Sequence, residues 1–292
     1  MKYEKWRELN TNPFDIKYKN NIKLKKIINY PPAGNDVVEL SAFIDDKPQN
    51  VFIKIERSKI SDFENEYKIL TKLLEENKYT KIPKAYEYGI YNNKKYLVLE
   101  AVKGERLSEI LDKELDTEIK EKMLERYGKE LAVLHSIKLN EINKALQRTI
   151  NKAPAEYNEE ISKYLKYLKD NTPNIQYNTF IHGDFHYANI LWNNNNISYV
   201  LDFEYSGLGF KEQDIAWSLI LRPGQKFMNN ISDINHFIKG YLTIGQINFT
   251  SLKWCLINGY CHFFLMNKNN QDYKKQILKL LENIYNNNLL EQ

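Results

Sequence analysis

Apolar and polar residues alternate in short runs through the first hundred positions, and beyond them the pattern changes to helical spacing. Residues 22–30 and 37–44 are apolar-rich runs joined by a turn at 31–36 that contains Gly34. Residues 45–50 (DDKPQN) read as a second turn, and 51–56 (VFIKIE) as a third strand. Alternation there puts Val51, Ile53 and Ile55 on one face and Phe52, Lys54 and Glu56 on the other. A helix follows, because Phe63, Tyr67, Leu70, Leu73 and Leu74 recur at helical spacing, and Ser61 with Glu64 predicts its capping box. Ile82-Pro83 closes this stretch. Strands at 85–91 and 95–100 are joined by the turn signal Asn92-Asn93.

After Lys103-Gly104 the spacing becomes helical at 107–111, 119–136, 156–169 and much of 214–288. One strand-like interruption with loops occupies 179–202. The expected fold class is therefore α+β: a small β-rich lobe with one main helix, residues 1–100, and a larger, mostly α-helical lobe, residues 101–292.

A chain of 292 residues is long enough for two such lobes. Its 27% charged and 13% aromatic residues are those of a folded globular protein. The first ten residues hold no apolar run of signal-peptide type, and no stretch approaches the ~18 apolar residues of a membrane span. A cytoplasmic protein without membrane partners is expected. The net charge of +4 is spread singly or in pairs, as in Lys25-Lys26 and Lys274-Lys275, which predicts a solvated surface and no nucleic-acid site. Cys255 and Cys261 lie six apart on one helix. At ~100° per residue they point to different faces, as buried thiols and not a disulfide.

The candidate chemistry lies in residues 182–202, HGDFHYANILWNNNNISYVLD. Leu191-Trp192 and residues 197–200 flank an asparagine turn, so a hairpin is expected, with Asn189 opposite Val200 and Asp202 as its diagonal neighbour. An amide oxygen and a carboxylate brought together at the open end of a hairpin suit magnesium. Asp184 stands in a loop opened by Gly183 and could accept a proton from a hydroxyl beside that metal. Phosphoryl transfer needs such a carboxylate, a metal bridging the phosphates, and a cation on them. Lys54 can supply the cation, held by Glu66 on the following helix; Glu64 competes for that role.

The run H-G-D-x-x-x-x-N, from His182 to Asn189, resembles the catalytic loop of aminoglycoside phosphotransferases and related protein-kinase-like small-molecule kinases. Asp202-Phe203-Glu204 resembles their metal-binding segment, Lys54 their phosphate lysine and Glu66 its partner. Residues 97–104 (LVLEAVKG) resemble the hinge that holds adenine, which places Glu100 and Val102 near the base. Asp214-Ile215-Ala216 resembles the helix start that braces the catalytic loop. The resemblance spans roughly residues 20 to 220 and implies a bilobal protein-kinase-like fold. It implies ATP or GTP as co-substrate, Asp184 as catalytic base, and Asn189 and Asp202 as magnesium ligands.

The chain departs from that pattern in its phosphate turn, which has the single glycine Gly34 within residues 31–36. Glu204 stands where protein kinases have glycine. Residues 202–206 (DFEYS) also resemble choline and ethanolamine kinases, so the acceptor hydroxyl could belong to an aminoglycoside, to choline or ethanolamine, or to another metabolite. From residue 211 onward six acids (Glu212, Asp214, Asp233, Asp272, Glu282, Glu291) face nine bases, a poor advertisement for a polycation site. A nucleotide-binding pseudokinase is the rival of another class. His182, Asp184 and His186 offer a zinc alternative, but a zinc site needs three or four ligands, and none of the remaining histidines, His135, His236 and His262, is paired with a cysteine or carboxylate at ligand spacing. In the favoured reading His182 buttresses the loop, and Asp214 is a helix N-cap rather than a ligand.

Overall fold

A computed structural model describes residues 7–57, 61–111, 116–146 and 152–286. Residues 1–6, Glu291, and the last two residues of the expected 214–288 helical run lie outside the described residues. The chain divides into two compact units, Met1–Lys103 with Tyr199–Glu204, and Gly104–Ser198 with Tyr205–Gln292.

The first unit is built on an antiparallel sheet of β1 (Ile22–Asn29), β2 (Asp36–Ile44), β3 (Lys47–Ile55), β4 (Ala85–Tyr91) and β5 (Lys94–Glu100), in the order β1-β2-β3-β5-β4. Two of its hairpins close through two residues in the left-handed region, Asp45-Asp46 (φ 49° and 60°) and Asn92-Asn93 (φ 48° and 60°). Asp and Asn tolerate that conformation, and such turns match the twist of the flanking strands. The six-residue turn expected at 45–50 is thus a two-residue turn, and β3 begins at Lys47. Pro48 misled the reading. It pairs only with Phe43 of β2, because β5 joins β3 from Val51 onward, so the missing N–H interrupts no ladder. Val51, Ile53 and Ile55 are buried with Val38, Leu40 and Val98 in the core of this sheet.

Helix α1 (Phe63–Glu75) buries Phe63, Ile69, Leu70 and Leu73. Its N-cap is Asp62, whose carboxylate accepts from the Asn65 N–H at 3.1 Å, and the expected Ser61–Glu64 capping box does not form. The helix starts one residue later than that box requires. Ser61 Oγ instead accepts from Asn35 Nδ2 at 2.7 Å.

Strands β6 (Glu105–Arg106), β8 (Ile190–Asn193) and β9 (Asn196–Val200) form one small sheet, and in the second unit β7 (Thr179–Ile181) pairs antiparallel with β10 (Gly207–Gly209). The helices are α2 (Leu107–Leu111), α3 (Thr117–Ser136), α4 (Ser162–Asp170), α5 (Lys211–Leu219), α6 (Ile231–Leu242), α7 (Phe249–Met266) and α8 (Gln271–Asn286). The helix expected from 156 starts only with a 3-10 turn at Glu159–Ile161. The long run from 214 is broken into four helices, the first break falling at Pro223-Gly224, where Gly224 has φ +79°.

Helices α3 and α6 cross at backbone contact. A Cβ on Gly128 would stand 1.9 Å from the Phe237 carbonyl oxygen, and one on Gly240 would stand 1.8 Å from that of Glu125. Helix α7 is buried over most of its length, including both cysteines, which are free. Burial pushes the Cys261 thiol up to about 12 and raises Cys255 likewise. Among the described residues no helix is long and apolar enough to cross a membrane.

Candidate active site

In the first unit the chemistry is a buried charge cluster. Lys54 is the second-last residue of β3, an inner strand of the sheet, paired with Val37 of β2 on one side and Leu97 of β5 on the other. It is therefore no edge lysine. Its ammonium donates to both oxygens of Glu66, at 2.9 and 2.8 Å, and to Asp202 Oδ1 at 2.7 Å. Glu66, on the inner face of α1, has no exposed side-chain surface. Glu64, two residues earlier, points outward and pairs with Lys68 at 2.6 Å.

Burial alone would lower the Lys54 pKa, but the carboxylates of Asp202, Glu66 and Glu204 outweigh it and hold the amine protonated far above its ordinary value. Burial raises the Glu66 carboxyl above its usual range, with Lys54 and the Phe203 backbone pulling the other way. Asp202 has φ +70°, a strained conformation for a non-glycine residue, and the 3-10 turn Phe203–Tyr205 follows it. Held there, its carboxylate meets Lys54.

The glycine-poor turn at 31–36 is fastened from the amino-terminal segment. Arg7 donates to the carbonyls of Gly34 (2.9 Å) and Asn35 (2.6 Å). Fully buried Asp36 takes Arg57 Nε at 2.8 Å, and Arg7 Nε stands 3.3 Å away. Nothing local in the sequence marks these partners, which are separated by more than 20 residues. Of the two expected hinge residues, Glu100 ends β5 and accepts from the Lys84 N–H at 3.2 Å. Val102 lies just past the strand, in the irregular segment 101–104.

In the second unit the loop after β7 carries Asp184 and Asn189. Gly183 has φ +79°, and a Cβ there would lie 2.4 Å from the Tyr205 carbonyl oxygen, so glycine is required. Asp214 organises the loop. Its carboxylate, without exposed surface, accepts from the N–H groups of His182 (2.8 Å) and Gly183 (3.0 Å) and meets His135 Nε2 at 3.1 Å. His135 Nδ1 in turn meets the Tyr241 hydroxyl at 2.8 Å. Burial would raise the Asp214 pKa, but the hydrogen bonds and charge of His135 and His182 bring it below the ordinary value. Asp214 is not the N-cap expected from the sequence. Phe210 holds that position, and Asp214 stands inside the first turn.

His182 is buried, and its Nδ1 accepts from the Asp184 N–H at 3.1 Å. Ser206 Oγ donates to the His182 carbonyl at 2.9 Å. Phe185 is fully buried and stacks on Tyr127 with ring centroids 5.2 Å apart. Asn189 ends the 3-10 turn Tyr187–Asn189 and donates through Nδ2 to the Asp184 carbonyl at 3.0 Å, which leaves its amide oxygen as the acceptor of the side chain. His186 caps that turn, with its Nδ1 accepting from the Ala188 N–H at 3.3 Å. The Asp184 carboxylate accepts from Trp217 Nε1 at 2.7 Å, and His186 Nε2 is 3.6 Å from the same oxygen.

Because Nδ1 of both His182 and His186 accepts a backbone N–H, the neutral rings carry their proton on Nε2 and offer no lone pair there, which disfavours the zinc alternative. His135 and Trp217 are functional candidates that the sequence reading missed. Trp217 could have been found, since it follows Asp214 by three residues and so shares its helix face. A carboxylate and an amide oxygen, as Asp202 and Asn189 provide, are the hard donors that magnesium takes.

A family model described as phosphotransferase enzyme family (APH) matches residues 35–242. No curated protein matches the chain. Among solved structures, it is similar to a thermostable mutant of an aminoglycoside phosphotransferase, at 12% identity over 90% of this chain and 94% of that one, with a TM-score of 0.58. It is also similar to a choline kinase from Streptococcus pneumoniae, at 14% identity over 91% and 95%, with a TM-score of 0.57. At such identities the likeness is one of fold, and that fold is protein-kinase-like, with an antiparallel sheet in one unit and helices in the other.

Proposed function

Because the chain belongs to the phosphotransferase enzyme family and is thereby a small-molecule kinase, we propose that it moves the γ-phosphate of ATP or GTP to an alcohol, with Asp184 as the base. The observation that carries this reading is the buried contact of Lys54 with Glu66 and Asp202. A lysine kept protonated by two carboxylates, one fully buried and one on a strained backbone, is what a polyphosphate needs beside it.

In this reading residues 1–100 hold the nucleotide. Lys54, kept in place by Glu66, bonds the α- and β-phosphates, and the backbone near Glu100 and Val102 receives the base. Residues 101–292 carry the catalytic loop and the acceptor site. Asp184 takes the proton of the acceptor hydroxyl as its oxygen attacks the γ-phosphorus, and the bond to the β,γ-bridging oxygen breaks to release the diphosphate. Asn189 and Asp202 would hold magnesium, which when bound neutralises phosphate charge. Placement of the reactants and of charge supplies most of the rate.

The leading acceptor class is an aminoglycoside-type alcohol, the class named for the first of the similar structures. Choline or ethanolamine is a second reading with an observation of its own. The Trp217 and Tyr187 rings beside Asp184 already hold one cation, the Arg222 guanidinium, at 4.8 and 5.9 Å from their centroids. Rings of this kind also hold small ammonium ions.

The test is nucleotide consumption with ATP and GTP against aminoglycosides, choline, ethanolamine, homoserine and sugars. Transfer should need added magnesium, survive a zinc-selective chelator, and fall far more with Asp202→Ala than with His186→Ala. Stoichiometric zinc in fresh protein, lost with His186→Ala, would replace this reading by a hydrolase.

A further inference from the structure

Helix α5 reaches the catalytic loop twice, one turn apart. Asp214 grips the loop's backbone, and Trp217, three residues on, donates its indole N–H to the carboxylate of Asp184 at 2.7 Å. We infer that Trp217 is a positioning residue for the base: it sets the rotamer of Asp184 by pinning Oδ1, so that the carboxylate meets the acceptor hydroxyl in one orientation. The inference rests on the proposal that Asp184 is the base.

The surroundings of the indole support this role. An aspartate on a loop has two side-chain torsions to fix, and its backbone hydrogen bonds fix neither. The Asp184 N–H goes to His182 and its carbonyl accepts from Asn189, which leaves the carboxylate direction to contacts made by its own oxygens. Trp217 supplies a short, charge-assisted bond to one of them. The donor is itself immobile. Arg222 lies over the indole face at 4.8 Å, and its guanidinium is tied to the carbonyls of Ile220 (2.9 Å) and Trp217 (3.1 Å). Phe263 of α7 packs against the ring at 6.0 Å. A cation over the ring draws electron density from the indole and makes its N–H a better donor. The donor therefore stands on a rigid helix, which suits catalytic geometry better than a loop does.

Displacements of about 1 Å at a reacting group cost about 10²-fold in rate. Trp217→Phe should therefore lower kcat by about 10- to 100-fold and leave the nucleotide KM within about twofold. Because Phe also leaves a gap, the decisive variant replaces Trp217 by benzothienylalanine, which keeps the two fused rings and exchanges the N–H for sulfur. It should reproduce the kcat loss with an unchanged thermal midpoint, and Trp217→His, which restores an N–H, should recover part of the rate. Full kcat in the benzothienylalanine protein would overturn the positioning role. If Asp184→Asn itself retained full turnover, the base assignment would fail first. A loss in Asp184→Asn with wild-type kcat in the Trp217 variants would remove Trp217 alone.

Discussion

The two sets of chemistry-bearing residues are held in place by different physics. Around Lys54 the positions depend on side-chain charge, one cation between two carboxylates with, among the described residues, no main-chain tether on the ammonium. Around Asp184 they depend on the backbone. Asp214 takes two N–H groups of the loop, Phe185 is buried against Tyr127, and Gly183 allows a close approach that no side chain would. The first arrangement can rearrange when charge arrives, as it must if a polyphosphate and a metal are to share Lys54 and Asp202. The second is built not to move. That difference fits the proposal that the Lys54 cluster adapts to a nucleotide while the Asp184 loop fixes a base.

The largest effect should come from the rigid part. Asp184→Asn should cut turnover by about 10²- to 10⁴-fold, the usual worth of a general base, and leave nucleotide affinity near normal. Steady-state kinetics alongside nucleotide titration checks both halves of that statement, and unchanged turnover would remove Asp184 from its role.

Next comes the charge cluster. Lys54→Ala leaves Glu66 buried beside Asp202 without its cation, and removing one partner of a buried pair costs about 3–5 kcal/mol. Glu66→Ala should cost less, since Lys54 keeps Asp202. In denaturant unfolding the double variant should lose little more than Lys54→Ala alone, because partners in one network are non-additive. Additive losses would show that the two side chains act separately.

Asp214 links the comparison to pH. Its pKa is lowered in the folded protein, so the stability it confers is present above the ordinary aspartate pKa, about 4, and is lost as pH falls through the lower folded value. The wild type should therefore lose stability on the acid side of about pH 4. Asp214→Asn should lack that part of the slope and be less stable at neutral pH by about 1–3 kcal/mol, the worth of charged hydrogen bonds. Equal acid limbs in the two proteins would contradict the assignment.

The smallest effect sharpens the contrast. Glu64 is two residues from Glu66, but it is exposed and paired with Lys68 on its own helix. Glu64→Ala should change stability by no more than about 0.5 kcal/mol and leave activity unchanged.

Much of this arrangement was legible in the chain. Alternation in 51–56 gave Lys54 its face, helical spacing gave Glu66 its face, and the asparagine turn fixed the hairpin after Asn189. What escaped depends on partners distant in sequence. Pro48 looked like a turn residue because its strand lacks one neighbour there, which only the sheet order reveals. Asp214 looked like a cap from its own neighbourhood, because gripping residues 31 and 32 positions earlier has no local signature, and only the family resemblance marked its segment as a brace for the loop. His135 has the same difficulty, and so do the arginines that fasten the turn around Gly34. The Ser61–Glu64 box failed for a local reason, since Asp62 offers the same cap one residue closer to the helix.

The division of labour between the two sets can be tested with two variants and two readouts, nucleotide affinity by calorimetry and single-turnover transfer rate at saturating nucleotide and acceptor, in Lys54→Ala and Asp184→Asn. The account predicts a crossed result: Lys54→Ala weakens nucleotide binding, while Asp184→Asn binds nucleotide as the wild type does and loses the transfer step. Nucleotide binding lost in Asp184→Asn, or retained in full by a folded Lys54→Ala protein, would contradict it.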